Sequence, residues 1–204
     1  MILILIASLS ASPVHQPSLA DPGRLQAPGS NFRYDYIDIG TGREDKSGLN
    51  VEADILQFNA SLELNDTWFT RFGYGMNSAE ILTTKIDQTT LQVGLGLHSM
   101  MARQIDLYGV VSYVDYDLET TDSGVDQNTP GIDGISYTIG ARMHTSSWLE
   151  LDINYTIIEV DDLDSDPRIG LTALIGVSSA VSLGATYSTS DDSDILGIGL
   201  RIYF

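Results

Sequence analysis

From residue 31 onward the chain alternates apolar and polar positions almost without a break. Leu56, Phe58, Ala60, Leu62 and Leu64 share one parity, with Gln57, Asn59, Ser61 and Glu63 on the other. A period of two is the signature of strands with two unlike faces. The same alternation recurs over 32–39, 55–64, 68–76, 91–98, 105–117, 135–144, 149–157, 169–178, 181–188 and 195–204. The pattern predicts about ten strands, or eight if the first or last hairpin is misread.

The connections alternate as well. Residues 65–66, 99–104, 145–147 and 179–180 are short, whereas 40–50, 77–88, 118–133, 159–167 and 189–194 are longer and mostly acidic. An even set of strands joined by alternating short turns and long loops is expected of an all-β, antiparallel up-and-down barrel.

Alternation alone does not say which face is inside, but side-chain size does. The polar face carries glycine at 73, 75, 94, 96, 140, 170, 176, 184, 197 and 199. Glycine weakens an exposed strand, yet relieves crowding on the concave side of a small closed barrel. The other face carries about five large residues per strand, too many for ten strands to enclose. The bulky face is therefore expected to meet lipid, and the barrel to be transmembrane. In the last segment Leu196, Ile198, Leu200, Ile202 and Phe204 face out, while Gly197, Gly199, Arg201 and Tyr203 face in. Aromatic residues are expected in two interfacial bands. One holds Phe32, Tyr34, Trp68, Trp148, Tyr203 and Phe204, the other Tyr74, Tyr113, Tyr137, Tyr155 and Tyr187.

Upstream, residues 1–9 form an apolar run, and Ser18, Leu19 and Ala20 suit signal-peptidase cleavage after Ala20. The expected layout is a signal peptide over 1–20, an irregular Pro- and Gly-rich lead-in over 21–30, and one barrel domain over 31–204. The 204 residues carry a net charge of -18, which argues against nucleic-acid binding. No cysteine is present, so thiolate metal sites, disulfides and cysteine nucleophiles are excluded.

The even-stranded alternation, the signal-like start and the ending Leu200-Arg201-Ile202-Tyr203-Phe204 resemble the small outer-membrane β-barrel proteins of Gram-negative bacteria, porin-like or opacity-like in type. That resemblance implies residence in the bacterial outer membrane and contact with its lipid. It also implies assembly by the barrel-assembly machinery, with Tyr203 and Phe204 as the assembly signal.

The inward parity offers Arg33, Arg71, Arg142, Arg168 and Arg201 beside Asp35, Glu63, Asp106, Glu150 and Asp152. Buried charges are costly unless paired, so these residues are expected to fill the lumen as ion pairs. Such a barrel is expected to have a structural, envelope or surface-interaction role. One alternative is a narrow diffusion channel selected by the same charges. A second is an outer-membrane hydrolase, a protease or a lipid-modifying enzyme, which needs a histidine beside a carboxylate or serine. His98 and His144 are the histidines of the barrel, and both fall next to short turns, where satisfied lumen histidines are the simpler expectation. No catalytic, cofactor or metal residues are assigned. The acidic loops, including Asp162, Asp164 and Asp166, could meet divalent cations, but a solvated acidic rim is the favoured reading.

Overall fold

The computed structural model describes residues 32–46, 51–82, 84–122, 125–160 and 165–204. The expected signal peptide and lead-in lie outside the described residues. Ten strands follow in order: β1 (Tyr36–Lys46), β2 (Val51–Glu63), β3 (Trp68–Ile81), β4 (Thr84–Ala102), β5 (Ile105–Asp122), β6 (Val125–His144), β7 (Leu149–Val160), β8 (Asp166–Gly176), β9 (Val181–Thr189) and β10 (Ser193–Tyr203). Each pairs antiparallel with its sequence neighbours, and β1 also pairs with β10, so the sheet closes. Closure removes free edges, leaving backbone groups within the barrel satisfied between strands.

Alternation sets the two faces as expected over most of the wall. Ile139 and Ile198 are 65% and 67% exposed, whereas Arg142 and Asp152 are 0% exposed. The outward Tyr74, Tyr113, Tyr137, Tyr155 and Tyr187 form one aromatic band, and Trp68, Trp148 and Phe204 lie outward near the short turns. The glycines of the inner face make room for large neighbours. A methyl at Gly96 would overlap the Phe69 ring, and one at Gly140 the Tyr108 ring.

The strands run longer than the hydrophobic alternation indicates. The stretch 40–50 is largely β1, because Gly40 to Lys46 pair with both β2 and β10. The stretch 77–88 is a β3–β4 hairpin, whose turn includes Leu82 at φ 60°, the left-handed conformation that tight hairpins require. The stretch 118–133 is the tip of the β5–β6 hairpin, paired from Asp122 and Val125 downward with a register shift near Tyr116. In these tips the few apolar side chains, such as Ala79 and Leu118, are buried on the inner side instead of facing out, so the outward alternation that marks the wall is lost. Cross-strand hydrogen bonding extends them regardless.

The first strand differs most from expectation. Phe32, Tyr34 and Tyr36 were expected outward and Arg33 and Asp35 inward, but the two sides are reversed. Registry explains this: Asp38 pairs with Arg201 and Tyr36 with Tyr203 on β10. Once Arg201 points inward, every even position of the first segment must follow. Phe32, Tyr34 and Tyr203 thus leave the expected interfacial band and lie inside, at 3%, 0% and 3% exposure.

Candidate functional site

The chemistry of the chain is concentrated in the barrel interior, which is layered along the axis. At the short-turn end lie Phe32, Tyr34, Phe69, Tyr108 and Val110, packed as one apolar cluster. The Phe32 ring stacks on His144 at 4.1 Å, and the Tyr34 ring stacks on His98 at 4.1 Å. A carboxylate also lies at the edge of each imidazole. His98 Nδ1 is 3.1 Å from Asp106 Oδ2, and His144 Nδ1 is 3.5 Å from Glu150 Oε2. Tyr34 Oη also donates to Asp106, at 3.0 Å.

Arg142 links this layer together. Its Nε donates to Glu150 at 3.1 Å, and its guanidinium carbon sits 4.4 Å from the Tyr34 ring centroid and 5.3 Å from that of Phe32. A guanidinium is weakly hydrated and stacks well on aromatic faces, which suits it to such a site. Asp152 accepts from Tyr108 Oη at 3.0 Å and from Asn154 at 3.1 Å.

The middle layer is polar. Gln57, Asn59, Thr172 and Thr186 line a cavity of about 50 Å³ together with the Asp38–Arg201 pair. Arg201 donates to both Asp38 oxygens through Nε and Nη2, the bidentate geometry in which guanidinium–carboxylate pairs are strongest. It also lies under the Tyr36 ring at 3.8 Å.

The hairpin end mixes apolar and ionic groups. Val51, Ala53 and Ala79 form one inward cluster, and Val114, Tyr116, Ile158 and Val160 form another. This departs from an interior that is polar throughout. Between the walls Glu44 accepts from Ser193 Oγ at 2.7 Å and pairs with Lys46 at 2.8 Å and Arg168 at 3.7 Å. Arg168 Nη2 donates in turn to Ser193 at 2.7 Å. One ionic cluster therefore joins β1, β8 and β10.

Several expected lumen charges lie together in these layers: Arg142, Glu150, Asp152 and Asp106 at one end, and Arg201 nearby. Arg71 is also inside, at 4% exposure. Arg33 is not. Its Nη2 donates to the Phe204 carbonyl at 2.8 Å and its Nη1 to that of Ser179 at 3.4 Å, on the short-turn rim. Asp35 likewise belongs to the rim, where it accepts the Glu63 backbone N–H at 2.8 Å. Glu63 ends β2 there, half-buried.

Asp38, Glu44 and Lys46 went unrecognised because their stretch read as outward strand or loop. The parity of Arg201 on the partner strand was the available signal. Among the described residues no three histidine or carboxylate side chains converge as a metal-binding group. The side chains of Asp162, Asp164 and Asp166 lie outside the described residues.

A closed antiparallel wall, apolar and aromatic without and charged and hydrogen-bonded within, defines a membrane-spanning β-barrel. The chain belongs to the family described as outer membrane protein beta-barrel domain, which matches residues 2–188, and its place is the bacterial outer membrane. Comparison with curated protein sequences finds no match.

Among solved structures, the translocator domain of autotransporter NalP from Neisseria meningitidis is similar at 9% identity and TM-score 0.51, over 84% of this chain and 89% of that one. The β domain of the Bordetella autotransporter BrkA is similar at 12% identity and TM-score 0.51, over 84% and 99%. The attachment invasion locus protein Ail of Yersinia pestis aligns at 15% identity and TM-score 0.43, over 83% and 97%. At these identities the likeness is one of fold alone.

Proposed function

We propose that this barrel has a structural role in the outer-membrane envelope, with a lumen closed to permeation. The observation that carries the reading is the layer in which Phe32 and Tyr34 stack on His144 and His98 above the Arg142–Glu150 pair. Aromatic rings and paired charges fill space that a pore would give to water. Lipid meets the outward apolar band, and the assembly machinery engages Tyr203 and Phe204. Planar-bilayer recording tests the closed lumen: the wild-type protein should give no discrete conductance steps. Steps of a stable, salt-dependent size would favour the narrow channel instead.

A second role, in surface contact, has its own support. β4 and β5 remain paired from Thr84 and Asp122 down to Ala102 and Ile105, 19 and 18 residues long, against 9 to 13 for β7 to β10 and for β1 and β2. Strands this long exceed the roughly 9–11 residues that cross a bilayer, so the hairpins project beyond it. Their tips carry Asp117, Glu119 and Asp122, an acidic face suited to cationic partners, including divalent ions. Deleting 117–128 should leave the barrel folded and abolish any such contact, while loss of folding would count against a separable role. The hydrolase reading is weaker, because both histidines are covered by stacked rings.

A further inference from the structure

The outward face of β1 to β5 changes character over three rows of cross-strand neighbours. Ile39, Phe58, Tyr74 and Leu91 form the first row, level with the tyrosine band. Thr41, Leu56, Met76 and Thr89 form the second. Arg43, Asp54, Ser78, Asp87 and Glu119 form the third. Interfacial tyrosines sit at headgroup level. Each row lies two residues further along a tilted strand, about 5 Å along the membrane normal. The headgroup region of one leaflet is roughly 5–8 Å thick. The second and third rows therefore lie where headgroups meet the wall.

An open groove of about 680 Å³ runs across those two rows. Leu56 and Met76 line it on the side of the membrane core, and Asp54, Lys85, Asp87 and Glu119 on the other. Its volume is that of a ligand site rather than of a gap between side chains. Both signs of charge line it. Lys85 Nζ contacts Asp87 at 2.7 Å, which leaves donors over, since an ammonium carries three. Glu119, directly across from Asp87, has no hydrogen bond or ion pair among the described residues. With three carboxylates to one ammonium, the lining attracts a cationic group and repels an anion that brings no positive charge of its own. Arg43, at the end of the row, is already committed to Glu52 at 3.2 Å and Asp54 at 3.4 Å.

We propose that this groove binds the headgroup of one membrane lipid that carries an ammonium beside its phosphate, as phosphatidylethanolamine does. The phosphate accepts from Lys85, the ammonium meets Glu119 and Asp54, and the acyl chains descend over Leu56 and Met76 toward Tyr74. The order of groups along the wall, apolar and then charged with both signs, is the order of that lipid from tail to headgroup. The site lies on the outer wall, so it depends on neither the state of the lumen nor any contact made by the hairpin tips.

Native mass spectrometry of the full-length protein in detergent tests this, with phosphatidylethanolamine or phosphatidylglycerol of the same acyl chains added and divalent ions chelated. The one-lipid adduct should be about three- to tenfold more populated with phosphatidylethanolamine, the scale of one or two exposed ion pairs. Lys85→Gln with Glu119→Gln should bring the two lipids within about twofold of each other. Glu119→Lys should turn the preference toward phosphatidylglycerol. Both positions are exposed, so these changes leave the barrel folded. Glu159→Gln, which removes an exposed carboxylate four residues beyond Tyr155 on β7, should keep the wild-type preference. Equal adducts of the two lipids in the wild type, or a preference that survives the double change, overturns the proposal. So does a wild-type preference that turns to phosphatidylglycerol when magnesium is restored, because the carboxylates would then hold phosphate through a metal ion.

Discussion

Phe32 and His144 lie face to face, 4.1 Å apart and within 6° of parallel, although one precedes the first strand and the other lies well along the chain. Phe32 precedes β1, and His144 ends β6. The stack therefore pins the segment leading into the barrel across the lumen rather than against its own strand. Tyr34 repeats the arrangement on His98.

Replacing both rings tests what that segment does. Phe32→Ala with Tyr34→Ala should permit conductance steps in planar bilayers where the wild type shows none. Each truncation should also cost about 3–5 kcal/mol if the site does not collapse. A destabilised variant that still does not conduct would mean that other layers suffice to close the lumen.

Arg142 and Glu150 are both fully enclosed, so their pairing is coupled to stability. Glu150→Gln should cost about 3–5 kcal/mol, because it leaves a buried guanidinium without its contact carboxylate. The double change Arg142→Met with Glu150→Leu should cost clearly less than the two single changes added together. Urea unfolding of the refolded barrel measures both, and strict additivity would show that the pair acts as two independent residues.

Gly140 and Tyr108 form a hole and its filler. Gly140→Ala should destabilise by about 1–3 kcal/mol through overlap with the ring. In a Tyr108→Ala background the same methyl should cost much less. An equal penalty in both backgrounds would place the strain in the backbone instead.

Asp87 stands on the projecting part of β4 beyond the apolar band, hydrogen-bonded by Ser78 at 2.7 Å and Lys85 at 2.7 Å. Partial burial pushes its carboxyl up, but the hydrogen bonds from Lys85 and Ser78 outweigh this and hold it below the ordinary aspartate range. Its stabilising contribution is therefore full above the unfolded-state value of about 3.9 and is lost as pH falls through the lower folded value. A carbon-detected NMR titration should find the Asp87 midpoint below that of a free aspartate. Asp87→Asn should remove this part of the acid dependence of the hairpin's hydrogen exchange.

Phe204 faces outward beside Arg33, while Tyr203 faces in against Tyr36. Removing Phe204 should lower outer-membrane levels of the protein, measured by fractionation, far more than it lowers the stability of the refolded barrel. Normal levels of the truncated protein would argue against its role in assembly.

Barrel, strand number and outward face were all legible in the alternation of bulky residues with glycine. That pattern follows from one local rule, that neighbouring side chains on a strand point to opposite sides, and from the lack of room inside for the larger set. Arg142, Glu150, Asp152, Asp106 and Arg201 could be placed indoors by parity alone. The partners within that set could not. Asp38 meets Arg201 only because β1 and β10, 163 positions apart at those residues, close the sheet in one register. The same closure turned Phe32 and Tyr34 inward and sent Arg33 to the rim, since parity in a strand fixes alternation but not which side comes first. Hairpin tips such as 118–133 were equally out of reach, because they lack the bulky outward residues of the wall and are extended by cross-strand hydrogen bonds. Sequence periodicity determined the wall of this protein, and the contents of its lumen were decided by which strands meet and in what register.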